Sequence, residues 1–215
     1  MRLYDYAASA NCYKVRLLLA QLERPYERVP TDIFSGDTLD DAYAAKNPAR
    51  TTPLLETDAG QFLPESAAIL LYLADGTPYL PEDPFERAQV VRWLVYEQTD
   101  VIPPIGGLRF RLHTSRLSAD DENARERLAV AHEVLALLDA HLADNEFFVG
   151  GAYTIADIAI YGYVHVAHEA DIDMHPYTGV RAWLDRVRDQ PRYMNDLAPY
   201  PPSSFAGVSR SIYDA

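Results

Sequence analysis

Three side chains suited to polar chemistry, Ser9, Asn11 and Cys12, fall inside the stretch "YDYAASANCYKVRLLLAQL", and Cys12 is the only cysteine of the chain. They stand where an apolar segment gives way to apolar residues spaced as on a helix: Val15, Leu18, Leu19 and Leu22. A hydroxyl and an amide at a helix start can donate to an anion, helped by the positive end of the helix dipole. A thiol at the same place tends toward a lowered pKa and redox chemistry. Each residue also has a plainer reading. Short polar side chains routinely cap helices, and free cysteine is among the most buried residue types.

Further along, Thr52-Pro53 lies between strand-like runs, where a proline cannot donate to a ladder and holds its predecessor in extended backbone. Glu65-Ser66 opens an apolar helical run, so its free N–H groups form a place for a carboxylate, or merely a cap. Arg50 precedes the Thr-Thr-Pro turn and is either an anion contact or a solvated loop arginine. Lys14 and Arg16 either steer an anion or are surface charges. His165, His168 and Glu169 have helical metal-ligand spacing, but a closed site needs about four ligands, so no metal is expected. Thr154 and Asp157 read as a capping pair with a folding role. Tyr4 and Tyr6 alternate onto one face of an opening strand and read as packing.

The elements that must position these groups divide into two halves. Residues 1–76 run strand, helix, strand, then a hairpin around Asp58-Ala59-Gly60, then the helix "ESAAILLYLAD". This βαβ-ββα order is the layout of an α/β thioredoxin-like domain. Residues 77–86, with Pro78, Pro81 and Pro84, form an extended linker. Residues 87–215 read as an all-α helical bundle, with apolar seams through Leu128–Leu142, Ile155–Val166 and Val180–Val187. The segment "VIPPIGGLRFRLH" predicts a kink in the long helix after the linker.

With 32 acidic against 19 basic residues, the net charge of -13 argues against nucleic acid or an anionic membrane as partner. No apolar run approaches the ~20 residues of a membrane span. The N-terminus lacks a signal-peptide core and the single cysteine suits a reducing compartment, so a cytoplasmic location is expected.

Four segments in this order, "SANCYKVR", "RTTPLLE", "ESAAILLYL" and "GGAYTIADI", resemble the cytosolic glutathione S-transferase family over nearly the whole chain. The resemblance implies a glutathione-binding first domain, an apolar co-substrate site in the helical domain, and a homodimer. Glutathione enters as co-substrate, without a metal. By the same resemblance, Thr52 presents its backbone to the cysteinyl part of glutathione beside Pro53, and Glu65 and Ser66 hold the γ-glutamyl end. Arg50 is the candidate for the glycyl carboxylate, because many relatives carry lysine where this chain has Thr51.

Conjugation needs the thiolate, and lowering a thiol pKa of about 8.5 by two units takes about 2.7 kcal/mol. Ser9 is the first candidate to donate to sulfur, with Asn11 cooperating. Cys12 offers an alternative function, a glutathione-dependent thiol-disulfide reductase, and a non-catalytic interaction protein of the same fold is a third. Ile105, Arg109, Phe110, His113 and Tyr213 are the candidates for lining a site for a small hydrophobic electrophile.

Overall fold

A computed structural model describes residues 1–214 and resolves two compact units, Met1–Leu73 with Met194–Ala215, and Ala74–Tyr193. The tail from residue 194 therefore groups with the first unit, although its place in the chain suggests the helical half. It is proline-rich, with Pro201 and Pro202, and ends in 3-10 turns rather than an α-helix.

In the first unit, strand β1 (Arg2–Asp5), helix α1 (Ala10–Gln21) and strand β2 (Glu27–Pro30) form the crossover, with β1 and β2 parallel. A short helix α2 (Asp41–Ala44) precedes the hairpin of β3 (Leu54–Glu56) and β4 (Phe62–Pro64), and helix α3 (Ser66–Ala74) follows. The sheet order is β2-β1-β3-β4, with β3 antiparallel to both of its neighbours. The expected hairpin turns where Gly60 adopts φ 74° and its N–H reaches the Thr57 carbonyl at 2.9 Å. Leu3, Leu54 and Leu55 on the central strands are fully buried, as in a sheet covered on both faces. The edge strand β2 exposes Glu27, Arg28 and Pro30, a composition that discourages pairing with another chain.

Helix α1 departs from the expected one-sided pattern. Lys14 and Arg16 are completely buried rather than steering charges on the surface. Arg16 is fixed by the carboxylates of Asp5 on β1 and Asp196 in the tail, its Nε lying 2.9 Å from Asp196 Oδ1. Arg28 joins the same cluster through Asp5. A buried guanidinium needs such partners, because an unpaired one would carry a prohibitive desolvation cost.

The second unit holds α4 (Pro84–Tyr96), a π-helical stretch (Glu97–Gly106), α5 (Gly107–His113), α6 (Glu122–Asp144), α7 (Ile155–Val164) and α8 (Thr178–Arg188). Asp83 caps α4 ahead of Pro84, the favoured first helical position for proline. The expected kink takes the form of the π stretch: Pro103 and Pro104 lack N–H groups, so the ordinary ladder cannot run through them and the turns widen. Gly106 is required there, since a Cβ would come within 2.3 Å of the Tyr163 ring. Among the described residues no helix is long and apolar enough to cross a membrane.

Thr154 and Asp157 form the capping box read from the sequence. Asp157 also accepts from the Trp183 indole N–H at 2.9 Å and the Phe148 N–H at 3.2 Å, so one buried carboxylate joins α7, α8 and the preceding loop. His165 and Glu169 are engaged within this unit, Nδ1 of His165 donating to the Tyr161 carbonyl and Glu169 accepting from Arg109.

Candidate active site

The start of α1 is capped by Ser9. Its backbone is extended, and its Oγ accepts from the Cys12 N–H at 3.3 Å. The cap uses a lone pair of the hydroxyl and leaves its proton available to another acceptor. Cys12 itself is fully buried, and its Sγ accepts from the Tyr6 N–H at 3.4 Å. Burial first, and the charge of Asp5 second, push its pKa up to about 11. The helix-start thiolate expected for a redox residue is thus absent: Cys12 points into packing, where the neutral form is favoured. This removes the basis of the disulfide-exchange reading through Cys12.

Asn11 leads outward instead. The Ser66 hydroxyl donates to its Oδ1 at 3.2 Å, linking the starts of α1 and α3. Ser66 is 3 % exposed, and Glu65 before it holds φ 71°. A left-handed backbone is costly for a residue with a Cβ, about 1–3 kcal/mol, and such positions cluster at ligand-holding turns. Asn11, Thr51, Thr52, Pro53, Glu65, Ser66 and Tyr213 line one cleft in this unit. The Thr52-Pro53 bond is cis. Ser9 caps the adjoining turn but is not among the lining residues.

The turn before Thr52 is held by two residues that sequence reasoning passed over. The Tyr43 hydroxyl donates to the Thr51 carbonyl at 2.6 Å, and Asn47 Nδ2 donates to the same carbonyl at 2.9 Å. Neither carries a motif; only their place, Tyr43 within α2 and Asn47 between α2 and the turn, gives them this role. Arg50 is used differently from the expectation. Its guanidinium donates to the carbonyls of Thr38 and Asp40, at 3.1 Å and 3.3 Å, and pairs with Asp41. It ties down the segment around α2.

The electrophile candidates separate. Ile105 is completely buried and Arg109 is 2 % exposed, its Nε 2.6 Å from Glu169 Oε2. Neither presents a surface to a co-substrate, because the π stretch and α5 turn these side chains inward. Phe110 is half-buried beneath the Arg116 guanidinium, 5.0 Å from its ring centroid. His113 is exposed, and its Nε2 donates to the Glu169 carbonyl at 2.7 Å. Tyr213 belongs to the other unit and lies with the cleft residues.

The cleft brings together the Thr52-Pro53 wall, the start of α3 and Asn11. Residues 3–79 match the family model for the glutathione S-transferase N-terminal domain, and residues 121–186 the model for the C-terminal domain. A solved glutathione S-transferase from Pseudomonas fluorescens Pf-5 shares 39% sequence identity, with a TM-score of 0.88 over 92% of this chain and 98% of that one. Glutathione S-transferase GstB of Escherichia coli K12 is 30% identical over 188 residues, covering 85% of this chain and 90% of its own. The disulfide-bond oxidoreductase YfcG of the same organism is 29% identical over 194 residues, 86% of this chain and 89% of its own. With both domain models matched in order and relatives aligned over most of their length, the chain belongs to the glutathione S-transferase family.

Proposed function

We propose that the protein is a glutathione transferase that binds the tripeptide in this cleft and directs its thiolate at small apolar electrophiles. The observation that carries the reading is the convergence of Asn11, Thr52, Pro53, Glu65 and Ser66 on one cleft. These residues stand far apart in sequence, and each has a group suited to a different part of the peptide. The backbone at Thr52 pairs with the cysteinyl portion as a one-residue strand addition. The start of α3 receives the γ-glutamyl carboxylate, with Ser66 and the helix dipole favouring the charge, while Glu65 offers a counter-charge to the ammonium group.

The cysteinyl sulfur then lies near the start of α1. Its proton passes to solvent, and the remaining thiolate is held by the Asn11 amide, the Ser9 hydroxyl and the dipole of α1. The thiolate attacks an electrophilic carbon, the S–C bond forms, and the displaced electron pair leaves with a leaving group or is protonated on the product.

The similarity to a disulfide-bond oxidoreductase supports a second reading, in which the same bound thiolate attacks a disulfide. That attack expels one thiolate and leaves a mixed disulfide; a second glutathione then attacks its glutathionyl sulfur, giving glutathione disulfide and releasing the other thiol. Cys12, buried with a raised pKa, takes no part in it. We also propose a cytoplasmic homodimer. Exposed apolar residues at helical spacing, Val91 and Val95 on α4 and Val130 and Leu137 on α6, support pairing, because such stripes cost solubility in a monomer.

Steady-state assays with reduced glutathione and a panel of aryl halides, unsaturated carbonyls and small disulfides test the assignment. Turnover of carbon electrophiles is expected. Turnover of disulfides alone would transfer the assignment to the second reading, and failure to bind immobilised glutathione would end both. Light scattering after size exclusion tests the dimer.

A further inference from the structure

The cleft has one wall that no glutathione motif supplies. Tyr213 lines it together with Asn11, Thr52, Glu65 and Ser66, although it stands almost at the end of the chain. Its delivery is built in stages. Asp196, near the start of the tail, is held by Arg16 and Arg28. The Ala198 N–H bonds the Ala7 carbonyl at 3.1 Å, and the Arg210 N–H bonds the Phe34 carbonyl at 2.8 Å. The last turn is closed by Asp214, whose carboxylate accepts from the Ser209 and Ser211 hydroxyls, both at 2.7 Å. The Tyr213 ring then rests against Phe34 at 6.3 Å between centroids, and Phe34 in turn meets Tyr6 edge-on at 5.5 Å. Tyr6 and Phe34 are buried, so Tyr213 leans on a fixed aromatic base while half of its own side chain remains exposed.

We propose that Tyr213 is a glutathione-binding residue of this protein, its ring covering the seated peptide, and that the C-terminal tail exists to place it. The proposal rests on the glutathione reading above and deepens it. It moves Tyr213 from the electrophile side, where the sequence suggested it, to the peptide side. An aromatic ring supplies large contact area with few rotatable bonds, which suits the closing wall of a site for a flexible tripeptide. The half-exposed position suits a wall that shields the peptide after it has entered.

Titration calorimetry with reduced glutathione tests this on the full-length protein and three variants, with thermal melting run alongside. Tyr213→Ala is expected to raise Kd about 10-fold with little change in melting temperature, as its side chain is half exposed. Tyr213→Phe keeps the ring and is expected within about 2-fold of the parent protein. Val208→Ala alters an exposed tail residue outside the cleft and should leave Kd unchanged. A Tyr213→Ala variant that binds as tightly as the parent, or a Tyr213→Phe variant as weak as Tyr213→Ala, overturns the assignment of the ring. A parent protein that binds no glutathione overturns the glutathione reading itself, so the two failures are distinct.

Discussion

The Ser66 hydroxyl donates to Oδ1 of Asn11 at 3.2 Å, so the first turn of α3 fixes the side chain at the first turn of α1. With Oδ1 engaged, the Asn11 amide still has N–H donors to offer, while Ser9 Oγ already accepts from the Cys12 N–H in the helix cap. Asn11→Ala is therefore expected to lower kcat/KM for conjugation by about 10²–10³-fold, in the range seen for removal of one oriented donor. It should also raise the pKa of bound glutathione, followed as thiolate absorbance against pH. Ser9→Ala should lose activity and also about 1 kcal/mol of stability, because the cap of α1 goes with it. Equal activity of Asn11→Ala and the parent protein would put the sulfur elsewhere.

Cys12 has the opposite character. Its thiol, pushed up to about 11 by burial, stays protonated through the neutral range, so it should not react with an aromatic disulfide reagent in the native protein and should react promptly once unfolded. Cys12→Ala should keep at least half the transferase activity and lose about 1 kcal/mol of stability for the missing sulfur in a packed core. Rapid labelling of the native thiol, or loss of activity with the fold intact, would restore the cysteine mechanism.

The contrast between these neighbours shows what the sequence could tell. Helix starts, the Gly60 hairpin, the Thr154–Asp157 cap and the Thr52-Pro53 turn depend on local backbone chemistry, and local spacing announces them. Orientation is a tertiary property. The same four-residue stretch leaves Asn11 half-buried at the cleft and hides Cys12, and nothing in the letters says which. Arg50, Lys14 and Arg16 look alike as loop or helix charges, yet the first closes carbonyls around α2 and the other two are buried. Arg16 owes its burial to a partner 180 residues away, Asp196, which no periodicity connects to it. The burial of Ile105 and Arg109 escapes the sequence for a related reason: a proline-interrupted segment signals irregular backbone but not which side chains the widened turns carry inward.

The Arg16–Asp196 contact also makes the tail testable without touching the cleft. Arg16 is fully buried while the Asp196 side chain is 39% exposed, so part of the attraction is screened. Asp196→Ala should still cost about 1–3 kcal/mol, because it strips a partner from a buried guanidinium. For a chain of this size that is a drop of roughly 3–10 °C in melting temperature. Hydrogen exchange in residues 194–214 should rise more than in β1 or α7. Uniform exchange across the protein would mean that the tail is not fastened there.

Asp157 gives a pH dependence with a definite sign. Burial raises its pKa from 3.8 to about 6, against the pull of hydrogen bonds from Thr154, Trp183 and Phe148. Between about pH 4 and pH 6 the folded state therefore binds the proton that the unfolded state has released, so this group's contribution to stability falls as pH rises through that window and levels off above it. The whole change is about 2–3 kcal/mol. Asp157→Asn cannot ionise, and its amide turns donors toward N–H groups that had an acceptor, so the variant should be less stable at every pH. Its deficit should be greatest near pH 4 and shrink toward pH 7, where the parent carboxylate bears its own desolvation cost. Urea unfolding of both proteins across this range measures the difference directly. A deficit that widens with pH would mean that the hydrogen bonds outweigh burial and hold the carboxyl below its ordinary value.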